Sequence, residues 1–128
     1  MKEFIESIHF YSGKNIRESL NNAPYDWRAT GTYGVERVLK TEQISQILLI
    51  YVDANDMTHW QKYLSSRFVK PTKVLPDLKL VSVDTLPEPS KNDRNVVDIS
   101  YLIADLERVA PRYCETHSEI IKQLREVA

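Results

Sequence analysis

The chain has 128 residues, of which 42% are hydrophobic and 27% charged, and its formal net charge is −1. This length is typical of one domain, and the composition excludes disordered and fibrous chains, so we expect residues 1–128 to form a single domain. The near-neutral charge predicts neither a nucleic-acid partner nor a membrane partner, because both attract strongly basic chains.

The N-terminal sequence and the cysteine content indicate the compartment. Residues 1–13 place a glutamate directly after their only early lysine and contain no apolar stretch as long as that of a signal peptide. The longest apolar run, Ile47–Val52, is too short to span a membrane. The lone Cys114 cannot form an intramolecular disulfide, so we expect a cytoplasmic protein.

Two helices are predicted at the start of the chain. Phe4–Tyr11 fits both the helical and the strand period, and we favour a helix, with Gly13 as its stop. Lys14–Asn22 predicts a short second helix that faces inward with Ile16 and Leu20.

Residues Ala23–Gly34, with the sequence APYDWRATGTYG, combine a proline, two glycines and three aromatic residues. This composition is typical of turns, so we predict a structured loop instead of a helix or strand. A helix should follow over Val35–Gln43, with Val35, Val38 and Leu39 facing inward.

The clearest strand is predicted over Ile44–Val52, because an almost unbroken run of isoleucine and leucine is typical of a strand that is covered on both faces. Asp53 should end this strand, and Asp56 or Thr58 should cap the next helix. Apolar residues recur at helical spacing in that helix: Trp60, Tyr63, Leu64 and Phe68.

A hairpin and a loop are predicted next. Pro71 and Pro76 bracket Thr72–Leu75, which can form only an edge strand, since proline cannot donate to a ladder. Leu78–Val83 alternates apolar and polar residues, which predicts a half-exposed strand paired with it. Pro87–Asp93 contains no apolar residue apart from its two prolines and predicts a loop.

Two helices should complete the chain, separated by Pro111. The first carries a helical stripe of Val96, Ile99, Leu102, Ile103, Leu106 and Val109. The second, Arg112–Val127, should bury Tyr113, Ile120, Ile121 and Leu124. The predicted fold is a mixed α/β (α+β) domain in which a small central sheet of about three to four strands is flanked by helices and followed by a C-terminal helix pair.

The best enzymatic candidate is the group Asp53, Asp56 and His59, which follows the predicted Ile44 strand. Carboxylates at the carboxyl end of a strand could hold a divalent ion with the imidazole as base or third ligand, which would suit a small metal-assisted hydrolase. Aspartate also ends strands and caps helices routinely. We favour this structural role, and predict no catalytic residue, no metal and no cofactor.

Other catalytic patterns are weaker still. Cys114 and His117 lie three residues apart on a predicted helix without an orienting third group. Gly31 and Gly34 could cradle a phosphate before a helix, but the established glycine-rich nucleotide motifs are absent. We therefore expect a protein that is not an enzyme.

Interface residues are easier to nominate. Tyr25, Trp27, Arg28 and Tyr33 lie within nine residues and are of the types that dominate protein-protein hot spots. The alternative is that Tyr25 and Trp27 fill the core beneath the loop, and the two roles can coexist.

Charge is segregated along the chain. Lys62–Lys79 contains five basic residues and one acidic residue, whereas Asp84–Glu107 contains six acidic and two basic residues. An acidic surface with Asp84, Glu88 and Asp93 would attract a basic partner. The basic stretch leaves DNA binding or a regulatory subunit as a further alternative.

In size and in its APYDWRATGTY and DTLPEPSKND segments, the chain resembles the small cytoplasmic immunity proteins that bacteria pair with secreted toxins, including those of contact-dependent growth-inhibition systems. The resemblance implies a cognate toxin domain, such as a nuclease, bound by Asp84, Glu88 and Asp93 with Trp27 or Tyr33 as anchors. We therefore expect a non-catalytic protein that neutralises another protein.

Overall fold

The computed structural model describes residues 6–11, 16–41, 47–67, 69–72, 76–109 and 114–127. The chain divides into two compact units that each combine two segments of sequence. Unit 1 comprises Met1–Trp27 and Gln46–Leu86, and unit 2 comprises Arg28–Ser45 and Pro87–Ala128. The expectation of a single domain stays a prediction.

The described chain is a mixed α/β protein, as predicted. Its strands are β1 (Glu6–Tyr11), β2 (Trp27–Thr30), β3 (Leu48–Asp53), β4 (Lys70–Pro71) and β5 (Leu78–Val83). Its helices are α1 (Ile16–Asn21), α2 (Gly31–Leu39), α3 (Met57–Ser66), α4 (Ile99–Val109) and α5 (Cys114–Val127), with a 3-10 helix at Ala54–Asp56.

Unit 1 contains a sheet in which β3, β5, β1 and β4 lie side by side in that order. β3 and β5 are parallel, with Leu48 opposite Leu78 and Asp53 opposite Val83. β1 runs antiparallel to β5, with Phe10 also opposite Leu78. The parallel pair therefore brings the carboxyl ends of β3 and β5 to the same edge of the sheet.

The predicted helix over Phe4–Tyr11 is wrong, because Glu6–Tyr11 forms β1. The local pattern fits both periods, and pairing with the distant β5 decides between them by satisfying the backbone of both strands. Gly13, the predicted helix stop, lies outside the described residues.

The strands predicted over Leu78–Val83 and Ile44–Val52 have different outcomes. β5 has the predicted bounds, Leu78–Val83. β3 exists, but Leu49 and Tyr51 are only half-buried, so this strand alternates instead of being covered on both faces. Residues 44–46 lie outside the described part of the chain.

The predicted pairing of Thr72–Leu75 with β5 is wrong, because β3 and β1 occupy the two sides of β5. Thr72 is outside the strands, and residues 73–75 are not among those described.

The helices of unit 1 follow the prediction. α1 buries Ile16 and Leu20. α3 buries Trp60 and Leu64, and Tyr63 is half-buried at its flank. Phe68 lies outside the described residues.

Unit 2 contains residues 28–30 of β2 and three mutually contacting helices, α2, α4 and α5. The C-terminal helix pair is thus confirmed. The buried side chains of these helices are Tyr33, Val35, Val38, Ile99, Leu102, Ile103, Leu106, Ile121 and Leu124. Ile120 is half-buried, and Tyr113 lies outside the described residues.

The predicted loop over Ala23–Gly34 is wrong in its second half, where β2 and the first turn of α2 form. Its glycines serve these elements. Gly31 has φ 62°, a conformation that suits glycine, at the start of α2. A Cβ on Gly34 would lie 2.8 Å from Cδ1 of Leu102, so glycine permits the close approach of α2 to α4.

The predicted loop over Pro87–Asp93 is confirmed as an irregular segment, and hydrogen bonds order it. The amide of Ser90 donates to the carbonyl of Val96 at 2.8 Å, and the amide of Asp98 donates to the carbonyl of Glu88 at 2.7 Å. Val96 precedes α4 instead of joining its stripe, because it forms a bridge with Ala29 of β2.

Candidate functional site

The sheet of unit 1 places two carboxylates at one edge. Asp53 is the last residue of β3, and Asp84 directly follows β5. Since β3 and β5 are parallel, both residues stand at the carboxyl edge of the sheet, where α/β proteins commonly bind ligands.

The predicted catalytic group at this edge has structural contacts of its own. Asp53 ends β3, as predicted, and its side chain accepts a hydrogen bond from the amide of Asn55 at 2.8 Å, which caps the 3-10 helix. Asp56 occupies the N-cap position of α3, where its side chain makes no capping hydrogen bond and lies 3.8 Å from Nδ1 of His59. Among the described residues, no three His, Cys, Asp or Glu side chains lie where they could hold a metal ion.

His59 belongs instead to an aromatic cluster around Tyr25. The two rings are nearly parallel, with an angle of 12° between their planes and 5.6 Å between their centroids. Tyr25 also contacts Trp60 at 5.6 Å and Tyr63 at 6.3 Å between centroids. The spacing of residues 59, 60 and 63 is visible in the sequence, whereas the contribution of Tyr25 from a distant segment is not.

Buried and hydrogen-bonded residues hold the inner part of this aromatic cluster in place. Trp60 is fully buried, and its indole N–H finds no acceptor among the described residues. The Tyr63 hydroxyl donates to the carbonyl of Ser19 in α1 at 2.6 Å. The guanidinium of Arg67 stands 5.2 Å from the centroid of the Tyr63 ring. Trp60 therefore belongs to the core of unit 1, whereas His59 forms the exposed side of the cluster.

The four predicted interface residues of the Ala23–Gly34 segment are mostly inside. Trp27, Arg28 and Tyr33 are 2%, 8% and 1% exposed, and Tyr25 is half-buried. Arg28 donates through Nε to the carbonyl of Pro87 at 3.0 Å. Burial of the rings matches the alternative that they fill the core, and of the four side chains only Tyr25 offers appreciable surface. Their role in partner binding stays a prediction.

The three predicted interface carboxylates are not alike. Asp84 and Glu88 are exposed, and their side chains form no hydrogen bond or ion pair with a described residue. Asp93 accepts hydrogen bonds from Nε and Nη2 of Arg37 at 2.9 and 3.3 Å and from the amide of Asn95 at 2.9 Å. Asp93 thus fixes the 87–98 segment to α2.

The Arg37 guanidinium responds to this environment. Burial by itself would lower the pKa of the Arg37 guanidinium, but the hydrogen bond to Asp93 and the nearby Tyr33 outweigh this effect, so the pKa of Arg37 lies above its ordinary value. The Arg37 guanidinium is accordingly charged throughout the neutral range.

Two further acids of the Asp84–Glu107 segment also accept hydrogen bonds within unit 2. Asp98 accepts a hydrogen bond from the amide of Ser100 at 3.2 Å at the start of α4. Asp105 is buried and accepts hydrogen bonds from Thr30 and from Arg108. Three of the six acids of that segment, Asp93, Asp98 and Asp105, are therefore engaged, which leaves a weaker acidic surface than the sequence predicts.

Comparisons of the chain with protein-family models, with curated proteins and with solved structures give no match. In the described part of the chain, no helix combines the length and the apolar character that crossing a membrane requires.

Unit 2 also contains a cavity of about 330 Å³ near the start of α4. Its lining residues are Lys91, Asn92, Asp98, Ile99, Ser100 and Val127. The Asp98 carboxylate already accepts a helix N–H here, so the cavity offers little to an anion.

The remaining predicted candidates divide by exposure. Lys62, Arg67 and Lys70 of the basic stretch are exposed, Lys79 is half-buried, and Lys73 lies outside the described residues. Cys114 and His117 are in α5, and their side chains are not among those described.

Proposed function

We propose that this chain is a non-catalytic cytoplasmic protein that binds and neutralises another protein, as the small bacterial immunity proteins do with toxins. The observation that supports it best is the state of Asp84 and Glu88. Both carboxylates are exposed and unpaired among the described residues, whereas Asp93 is held by Arg37.

The chemistry of the partner follows from these carboxylates. An exposed, unpaired carboxylate gains most from a basic surface, because complementary charge accelerates association and disfavours wrong partners. The active site of a nuclease is such a surface, since it must attract phosphates.

The capping role of Asp53 supports the non-catalytic half of the proposal. Its carboxylate is already bonded to the backbone at the edge of the sheet where a hydrolase would need a free metal ligand.

Growth rescue tests the proposal directly. The full chain is co-expressed with each toxic domain encoded beside its own gene, and we expect one of them to lose its toxicity. Purified protein should then bind that domain in calorimetric titration. Killing by every neighbouring toxin in the presence of the protein would contradict the proposal.

Charge reversal separates the predicted contacts from a general effect. Asp84→Lys and Glu88→Lys, made one at a time, should each weaken binding about tenfold or more, because each replaces an attraction by a repulsion. Glu119→Lys on the exposed side of α5 is the matched control and should leave the affinity within about twofold. Equal losses in all three variants would leave only a net-charge effect.

A further inference from the structure

The second surface of interest lies on unit 1, where rings and cations share one side of α3. We define it as the ring-cation patch: Tyr25, His59, Lys62, Tyr63 and Arg67. Residues 59, 62 and 63 are three and four positions apart, so they occupy one face of the helix, and residue 67 follows one turn later.

The rings of the patch are ordered from inside to outside. Tyr25 rests on the buried Trp60 and holds the His59 ring nearly parallel to its own. The His59 side chain is 58% exposed, so part of a flat aromatic surface is open to solvent. Because ring contacts with Trp60 and Tyr63 hold Tyr25 in place, the exposed His59 surface is already ordered before a ligand binds.

The patch contains two cations that form no ion pair with a described residue. Lys62 and Arg67 are exposed, and no carboxylate of the described residues pairs with either side chain. Arg67 lies over the face of the Tyr63 ring, a contact that leaves the N–H groups of the guanidinium available to an acceptor. The one carboxylate of the described residues within ion-pair distance of His59 is that of Asp56, at 3.8 Å.

We propose that the ring-cation patch binds single-stranded nucleic acid, with a base stacked on His59 and phosphates at Lys62 and Arg67. Proteins that bind single strands without sequence preference combine an aromatic platform with cations that follow the backbone. An acidic protein segment could use the cations but would gain little from an exposed flat ring, and protein hot spots are normally enclosed by a rim that excludes water.

This site differs from the expectation drawn from composition. The net charge of −1 averages over the whole chain and predicts no nucleic-acid partner, whereas two unpaired cations beside an open ring concentrate the attraction locally. Two phosphate contacts produce weak binding with a shallow salt dependence, a slope of about −1.4 in log K against log salt concentration.

The test uses the full chain and a fluorescein-labelled oligothymidylate of about 15 nucleotides, followed by fluorescence anisotropy. We expect saturable binding at about 50 mM salt, and log K should fall with log salt concentration with a slope of about −1.4. The same sequence in a duplex should bind more weakly. His59→Ala should weaken binding about 5- to 150-fold, because it removes the stacking surface. His59 is exposed, so this variant should retain its circular dichroism spectrum.

Matched charge reversals assign the cations. Lys62→Glu with Arg67→Glu should reduce binding to the limit of detection. Lys122→Glu with Arg125→Glu changes the net charge equally on exposed positions of α5 and should leave the affinity within about twofold. Equal losses in both double variants, or unchanged affinity in His59→Ala, would overturn the proposal.

A competitor decides between nucleic acid and an acidic protein partner. Unlabelled polyglutamate of the same length should displace the oligonucleotide poorly, because it cannot stack. If polyglutamate displaces the labelled oligonucleotide as efficiently as unlabelled oligothymidylate does, the proposal is overturned in favour of an acidic protein segment. If the protein binds no oligonucleotide at low salt, the proposal is also overturned, and the patch is simply a solvated surface.

Discussion

Thr30 and Asp105, which are 75 residues apart in the chain, are joined by a buried hydrogen bond of 2.5 Å from the threonine hydroxyl to Oδ2 of the aspartate. Both side chains belong to unit 2, and Thr30 is fully buried. The bond ties β2 to α4, so it should contribute measurably to the stability of this unit.

Thr30→Val tests that contribution. The variant keeps the shape of the side chain but removes the donor from a buried carboxylate, and we expect the free energy of unfolding to fall by about 1–3 kcal/mol. Urea denaturation measures the change. Thr32→Val on the exposed side of α2 is the control and should stay within about 0.5 kcal/mol of the parent protein. A loss in Thr30→Val no larger than in the control would show that the bond is energetically silent.

Gly34→Ala tests the close approach of α2 to α4. The added methyl group would meet Cδ1 of Leu102, which is fully buried and has little room to move. We expect a net loss of about 1 kcal/mol, because overpacking exceeds the gain in helix propensity. In a Leu102→Ala background the same substitution should become neutral or stabilising, and urea denaturation of the four proteins would detect this reversal. The same loss in both backgrounds would contradict the steric explanation.

Arg37→Ala removes the ion pair with Asp93, and Arg37→Lys removes its two-point geometry. We expect both to lower the free energy of unfolding by about 1–2 kcal/mol, since lysine cannot reproduce the paired N–H donors. The pKa of Arg37 is raised above its ordinary value in the folded protein, so its contribution is complete below the pKa of the unfolded chain and is lost only as the pH rises through the folded pKa. The difference between parent protein and Arg37→Ala should therefore be constant between about pH 7 and pH 10. A decline across this interval would show that another group carries the effect.

Asp53→Ala distinguishes a structural aspartate from a metal ligand. Loss of the hydrogen bond to the Asn55 amide should destabilise the protein by about 1 kcal/mol in thermal or urea unfolding. Asn55→Ala keeps that amide and should cost less. Titration with magnesium, manganese or zinc should leave the melting temperature of the parent protein unchanged. Stabilisation by one of these ions that disappears in Asp53→Ala would support the hydrolase alternative instead.

Local signals in the sequence predict much of this fold. The alternation of Leu78–Val83 defines β5, and the helical stripe of Trp60 and Leu64 defines α3, because each pattern reports burial within its own segment. β1 could not be predicted in this way, since its partner β5 lies far along the chain and the local pattern fits two periods. Gly34 looks like a turn residue until the position of Leu102 is known.

The candidate sites divide along the same line. The position of Asp53 at the end of β3 is predictable, because the apolar run of the sequence stops there. The Tyr25–His59 stack and the Arg37–Asp93 pair join distant segments, and composition alone assigns both Tyr25 and Asp93 to an interface. A charged residue in a polar stretch of sequence, such as Asp93, can therefore be held in an ion pair in the folded chain.

The interleaving of the two units limits how the gene can be divided. A fragment that ends at Leu86 would carry every segment of unit 1 but would also carry α2 without α4 and α5, which leaves Tyr33, Val35 and Val38 with no helix to cover them. Such a fragment should aggregate, and the remainder from Pro87 onward should lack a core. Separation of the units requires joining Trp27 to Gln46 by a new linker, so that the intervening α2 segment is removed.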